Sequence, residues 1–503
     1  FWLAEKNRKW WILLAMSSSL ALVFIDQTAL AVALPAIQRE LNLSNSLSQW
    51  VINAYLLALS AIILLGGKIG DRLGHKRAFL AGVIVFITAS TLAALAESGA
   101  WLITARAIQG IGAAFMMPST NALVTNAFPA QERGKALGIY IALATIFLAL
   151  GPLLGGFLTQ VFSWRAVFWI NFPIALISII LAISSVPTWR RREKLNIDYL
   201  GFFISVIFIS GFVLGFMEAP NWGWTSLPIM GLFLLSIISL ITFIGWEKKI
   251  PHPLVELTLF KNLTFTTLFS VLLIIQAVAI VFVFLAIFLQ NVLHYSPLMA
   301  GLLLLPAMVP IMLMAPVGGH LRDKYGPTLP MFCGALLVVL SLIWIAIFSH
   351  NRGYAWLFPG LLVYGIGMPL ILSGIMATVM NMVNAQQRGM ASAIFNCARQ
   401  FGNTIGLALL TGLLASVNKW QLNSFLHHSP VPLSRLKEQQ IDGLLVQSDQ
   451  AMKAIAHLSL AHIELLKTAA LNAYTNAFSM TLLAAAILAF LSLFLILKIP
   501  RKQ

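Results

Sequence analysis

Gly66-Gly67-Lys68-Ile69-Gly70-Asp71-Arg72-Leu73-Gly74 recurs as Gly318-Gly319-His320-Leu321-Arg322-Asp323-Lys324-Tyr325-Gly326. The shared pattern is Gly-Gly-x-aliphatic-x-Asp-basic-x-Gly, displaced by 323 − 71 = 252 residues in a chain of 503. Each copy sits where a long apolar segment runs into a basic loop. Two copies of one loop half a chain apart, in so hydrophobic a sequence, predict a membrane transporter made of two like halves. The repeat extends outward from there. Leu41 and Ser44 match Leu293 and Ser296 at the same displacement. Gly110-Ile111-Gly112 matches Gly365-Ile366-Gly367, and Ala130-Gln131-Glu132-Arg133-Gly134 matches Ala385-Gln386-Gln387-Arg388-Gly389, at 365 − 110 = 255.

Composition fits that expectation. Hydrophobic residues make up 59% of the chain and charged ones 10%, where soluble domains carry about 25% charged. Apolar runs near the roughly 20 residues that span a hydrocarbon core fall at 11–34, 50–69, 78–96, 101–123, 136–160, 166–186, 200–217, 227–246, 264–289, 297–317, 329–349, 354–379, 391–416 and 476–498. The fourteen predicted spans exclude a soluble fold. The net charge of +16 does not point to nucleic acid, because the basic residues gather in alternate loops. Those loops hold Lys6, Arg8 and Lys9, then Lys68 to Arg77, Arg133 and Lys135, Arg190 to Lys194, Lys248, Lys249 and Lys261, Arg322 and Lys324, Arg388, and Lys498 to Lys502. The short loops on the other side hold only Arg39, Arg165 and Arg352. The positive-inside rule therefore puts both termini in the cytoplasm, which an even number of spans allows.

The expected organisation is an N-terminal arm (1–10), a six-helix bundle (11–186), a basic linker (187–199), two inserted helices (200–246), a second linker (247–263), a second six-helix bundle (264–498) and a tail (499–503). This is an all-α polytopic membrane protein of fourteen transmembrane helices. Parallel six-helix repeats are the arrangement of the major facilitator fold, whose substrate site lies at the midplane between halves. The basic run Arg190 to Lys194 reads either as a topology anchor or as a contact with anionic lipid. The exoplasmic stretch 417–475 is long and polar. Within it Met452, Ile455, Leu458, His462, Leu465 and Ala469 fall on one helical stripe, fitting a partner or a helical hairpin resting on the transporter itself. The two cysteines, Cys333 and Cys397, lie within predicted spans and form no disulfide framework. No cleavable signal peptide is expected, and a start at Phe1 rather than Met implies preceding residues.

Chemistry concentrates in few places. Asp26 sits mid-span in Phe24-Ile25-Asp26-Gln27-Thr28, and an acid there is a functional hypothesis by default. Proton or cation exchange and a structural ion pair are its two readings. Its expected partner is Arg106 in span 4, which stays charged and so compensates Asp26 only while that group is ionised. Arg399 in span 13 is the other intramembrane cation, and no acid lies in the interior of spans 9–14. Its two readings are inter-helix hydrogen bonding and substrate contact. Gln27, Tyr55, Gln109, Gln290, Asn396 and Arg399 are the candidates for the substrate cavity. Glu218 ends span 7 beside Trp222 and Trp224, near the exoplasmic surface. Gly151, Pro152, Gly155 and Gly156 allow span 5 to bend and pack closely, while Pro306, Pro310 and Pro316 interrupt span 10. The repeated loop supplies a gate in Gly67, Asp71, Arg72, Gly74 and Arg77 of the first copy and Gly319, Asp323 and Gly326 of the second. Pro327-Thr328 replaces His75-Lys76-Arg77, so the first copy is expected to hold the outward-facing state more strongly. His427, His428, His457 and His462 lack ligand spacing, and no metal site is expected. With no HExxH, GxSxG or GxxxxGK[ST] pattern, no enzymatic activity or cofactor is expected, and an ion gradient is the remaining energy source.

These residues together resemble the 14-helix drug:proton antiporter family of the major facilitator superfamily. The loop Gly67 to Arg77 is similar to the superfamily signature between helices 2 and 3. Asp26 to Pro35 resembles the family's first-helix motif, Arg106 to Gly112 its fourth-helix motif, and Gly151 to Gly156 its antiporter motif. Trp164 to Pro173, Gln290 to Pro297 with Pro306, and Arg399 to Gly406 add further matches. The resemblance implies export of amphipathic molecules across the bacterial inner membrane, driven by proton entry, with Asp26 and Arg106 as the coupling pair. It leaves open a lipid or siderophore exporter of the same fold, and a non-transporting sensor or scaffold. Phe147 stands where the antiporter motif usually begins with Gly, and His75 replaces the usual Arg. The second half lacks the extra acids of relatives that expel lipophilic cations, which favours neutral, zwitterionic or anionic amphiphiles. The 417–475 stretch resembles that of relatives paired with a periplasmic adaptor and outer-membrane channel, so a tripartite pump stays open.

Overall fold

A computed structural model describes residues 5–129, 132–187, 198–251, 253–383, 388–428 and 460–499. Its helices are α1 (Glu5–Glu40), α2 (Asn45–Leu73), α3 (His75–Ala94), α4 (Gly99–Ala127), α5 (Arg133–Val161), α6 (Ala166–Trp169), α7 (Asn171–Ser185), α8 (Tyr199–Trp222), α9 (Leu227–Glu247), α10 (Leu263–Ala279), α11 (Val281–Asn291), α12 (Pro297–Tyr325), α13 (Thr328–Phe348), α14 (Tyr354–Met382), α15 (Arg388–His428) and α16 (Leu460–Ile496). Breaks divide α6 from α7 and α10 from α11, so sixteen helices make fourteen spans. Among the described residues thirteen are long and apolar enough to cross a membrane, and α5 completes the set.

The halves repeat in their local chemistry. Ser44 and Ser296 both sit in extended conformation and cap α2 and α12, accepting from Leu47 N (3.2 Å) and Met299 N (3.3 Å). Such a cap satisfies an otherwise orphaned helix N–H. Gly74 and Gly326 end the same helices at φ +96° and +80°. Their N–H groups donate to Gly70 O and Arg322 O. A left-handed residue after the last turn is why both copies of the opening pattern finish on glycine. Close approach repeats as well. A Cβ on Gly110 would strike the Tyr55 carbonyl, and one on Gly365 the Ala307 carbonyl. Gly151 and Gly155 of α5 lie on α1 at Thr28 and Ala29, while Gly402 and Gly406 of α15 lie on α10 at Leu273, Gln276 and Ala277.

Two seams join the halves. At one, Gly156 packs on the Pro297 and Leu298 backbone and Gly301 on Pro152, bringing α5 against α12. At the other, Ser60 of α2 and Thr404 of α15 share a buried 2.6 Å hydrogen bond, and Thr404 also donates to Leu56 O. The inserted α8 covers this second seam. It touches α2 through Trp50, whose indole donates to Glu218 Oε1 (2.8 Å), and α15 through the Phe208–Phe401 ring contact. Glu218 thus has partners, with Asn221 donating to its other oxygen at 3.0 Å.

The polar stretch 417–475 is shorter than expected. Helix α15 continues to His428 and α16 begins at Leu460, not 476. The hydropathy signal stops at His462, Glu464 and Lys467, but the Ala, Leu, Glu and Lys around them are good helix formers. Polar pairs hold this extension, Asn472 accepting from Arg352 (2.5 Å) and Asn476 bonding His350 (2.9 Å). Of the amphipathic stripe, Met452, Ile455 and Leu458 lie outside the described residues, as does the basic run Arg190 to Lys194. Helix α1 likewise runs past Pro35 to Glu40, where the Glu40 carboxylate accepts from the Trp164 indole (2.7 Å) and pairs with Arg165.

Candidate functional site

Asp26 has no solvent exposure, and neither has Arg106. Arg106 Nη1 donates to Asp26 Oδ2 at 2.6 Å and to Gln109 Oε1 at 2.7 Å. Gln109 Nε2 returns to Asp26 Oδ1 at 3.0 Å, closing a ring of three side chains. Residues 106 and 109 sit three apart on α4 and so face one way. Arg106 Nε donates to Val51 O (3.0 Å), and its guanidinium lies over the Tyr55 ring at 4.4 Å. Asn171, at the start of α7, approaches Asp26 Oδ1 at 3.5 Å and donates to Ser90 Oγ at 3.0 Å. Ser90 in turn donates to Phe168 O. An ion pair this deep stays charged only with such satisfaction, since stripping a carboxylate of water costs several kcal/mol.

Next to the cluster lies a cavity of about 2130 Å³ between the halves. Phe24, Gln27, Tyr55 and Arg106 face it from the first half, and Tyr364, Asn396 and Arg399 from the second. Asp26 is behind that wall. Arg106 is therefore shared, one side on the carboxylate and the other on the cavity. The cavity reaches Gly67, Asp71, Arg72, Gly74 and Arg77, so it opens on the face of the basic loops. The opposite face is shut by the Gly156–Pro297 contact and by Gln160 Oε1 accepting from Leu298 N (3.2 Å).

Two cavity candidates lie elsewhere. Gln109 belongs to the Asp26 ring instead of the wall. Gln290 bonds the Val32 carbonyl at 2.8 Å and lines a small cleft with Arg39 and His294 on the closed face. Sequence spacing placed both on a polar helix face but could not say what that face meets. Asn171 and Ser90 were not foreseen as partners of Asp26, although Asn171 ends a quoted motif. Uncharged polar residues in spans are too common to stand out alone.

At the mouth, Asp71 pairs with His75 at 3.3 Å within its own loop. Lys76 donates to Val186 O (2.5 Å) and Ile183 O (3.0 Å), and Arg8 to Ser185 O (2.7 Å). These cations occupy the carboxyl end of α7, where the helix dipole favours positive charge. In the second copy Gly319 and Gly326 do not reach the cavity wall, and the Asp323 side chain lies outside the described residues.

The sequence profile of the Major Facilitator Superfamily matches residues 16–407. The chain is 32% identical over 426 residues to the multidrug resistance protein Stp of Mycobacterium tuberculosis, covering 84% of this chain and 79% of that one. It is 31% identical to the tetracenomycin C resistance and export protein of Streptomyces glaucescens, over 82% and 77% of the two chains. A bacterial homologue of the human lysosomal transporter Spinster, solved inward-facing and occupied, superposes with a TM-score of 0.67 at 17% identity, covering 99% and 98%. Helix order, paired halves and profile agree, and the chain belongs to the Major Facilitator Superfamily.

Proposed function

We propose that this chain is a proton-coupled exporter of amphipathic small molecules that works by alternating access in the bacterial inner membrane. The observation that carries the reading is the sharing of Arg106 between a buried carboxylate and the cavity. With Asp26 ionised, Arg106 is held away from substrate. Protonating Asp26 removes the charge that holds it and leaves a cation on the wall, a two-state element biased by one proton. Both termini are taken as cytoplasmic, so the cavity faces inward with the pair intact. That is the state expected after proton release, ready to accept substrate. A proton arriving from outside on Asp26 then favours the return to this inward-facing state. The gate loop acts as a latch that closes in the outward-facing state, when Asp71 exchanges its partner within the loop for one across the seam.

Export draws support from the relatives, which include resistance and export proteins. The cavity volume also suits a lipid-like cargo, since it exceeds the roughly 300–1,000 Å³ of drug-sized sites. An adaptor and outer channel would meet the chain at the ends of α15 and α16. The decisive experiment reconstitutes the chain in proteoliposomes and follows substrate and internal pH together. Wild type is expected to move protons against substrate, and Asp26→Asn to lose that exchange. Proton movement that persists in the variant during substrate efflux would end the proposal.

A further inference from the structure

The same cavity carries a second cation with a different surrounding. Arg399 lies on the wall, three residues before Gly402 on α15. Its Nε is buried without a hydrogen-bond partner, and its guanidinium lies 5.3 Å from the Phe24 ring centre. The repeat shows what is missing. Asp26 precedes Thr28 by two residues, as Ile274 precedes Gln276. Arg106 precedes Gly110 by four, as Leu361 precedes Gly365. The second half has apolar side chains where the first has its ion pair. Conversely, Leu148 stands three residues before Gly151, where the second half has Arg399.

Among the described residues of the cavity wall, Asp71 is the one acid, and it sits at the mouth beside His75. Asp26 is covered and committed to Arg106 and Gln109. The deep cavity therefore carries one cation in excess of its acids. Tyr364 adds a buried hydroxyl without a partner, edge-on to Phe282 at 5.0 Å. A guanidinium in a low-dielectric cleft strongly favours an anion that it can bond in a fork. A cationic ligand would meet the same charge uncompensated, and Arg399 already occupies the face of Phe24.

We propose that Arg399 makes this cavity a receptor for amphiphiles with an acidic group, such as a carboxylate, sulfonate or ionised phenol, on an apolar body. Lys68, Arg72 and Arg77 at the mouth add long-range attraction for such a ligand. The proposal rests on the export reading of the same cavity for the direction of transport, but not for recognition.

The test titrates the full chain in lipid nanodiscs, without a proton gradient, using three fluorescent probes. These are 1-anilinonaphthalene-8-sulfonate, its uncharged counterpart N-phenyl-1-naphthylamine, and the cation ethidium, each corrected with empty nanodiscs. Wild type is expected to bind the sulfonate about tenfold tighter than the neutral probe, as a charge-assisted contact implies. Arg399→Gln should erase that preference and leave the neutral probe within about twofold, while Arg399→Lys keeps part of it. Equal affinity for sulfonate and neutral probe in wild type, or tightest binding of ethidium, overturns the proposal even where a variant fails to fold. So does an unchanged sulfonate affinity in Arg399→Gln. Because no gradient is present, failure here is read separately from failure of Asp26 to couple protons.

Discussion

The two halves share a backbone plan but not a charge plan. In the first half the arginine is fully engaged, with Arg106 holding Asp26, Gln109 and the Val51 carbonyl. In the second half Arg399 faces open space with its Nε unpaired. The glycines that set helix approach are kept in both, Gly155 against Ala29 and Gly406 against Ala277. Packing constraints are thus symmetrical, whereas polar groups are free to differ wherever the backbone is satisfied within its own helix. One half stores a charge that a proton can switch, and the other presents a charge that a ligand can neutralise. Symmetric scaffolds become directional machines by breaking symmetry in side chains alone.

The largest expected effect comes from breaking the engaged pair. Asp26→Asn leaves Arg106 buried without its counter-charge and should cost about 3–5 kcal/mol, read as a lowered melting temperature in nanodiscs. Efflux should lose its dependence on the proton gradient in the same variant. The double variant Asp26→Asn/Arg106→Gln should recover most of the melting temperature without recovering coupling, since removing both charges is often neutral. If coupling returned with stability, the pair would be structural only.

Packing comes next. Gly155→Val places methyl groups against the Ala29 backbone, which cannot yield as a side chain does, and should cost about 1–3 kcal/mol. Gly406→Val should cost a similar amount, and a large difference between the two would show that the symmetry of close approach is only apparent. Ser60→Ala removes a buried bond to Thr404 between the halves. It should cost about 1 kcal/mol and shift the inward–outward balance, measured by labelling of a cysteine at the cavity mouth. The smallest stability effect belongs to Arg399→Gln. No partner is broken there, so the melting temperature should hold to within about 0.5 kcal/mol. A large loss in that variant would mean that Arg399 has a structural task equal to that of Arg106.

The pairing of Asp26 with Arg106 was legible because charges are so rare in spans that few partners exist for either. The repeated loop was legible because glycine at a positive φ leaves a mark that no other residue supplies cheaply. Gln109 and Gln290 were assigned to the cavity, and the fold sent one behind Asp26 and the other to the closed face. An amide bonds equally well with a carboxylate, a carbonyl or water, so its type says little about its destination. Helix ends were also misjudged, at Glu40 and Leu460, because hydropathy measures where the bilayer stops and not where the helix does.

By itself, the sequence determined the class, the number of spans, the two-half organisation and the central acid. Those follow from hydrophobic length, charge scarcity and the geometry of glycine, all of which act locally. Only the tertiary structure decided that α8 covers one seam and leaves the other bare. The same holds for Asp26 standing behind the wall that Arg106 faces, and for Arg399 lacking an acidic partner. Such facts depend on which helix faces meet, and that is settled by packing between segments hundreds of residues apart.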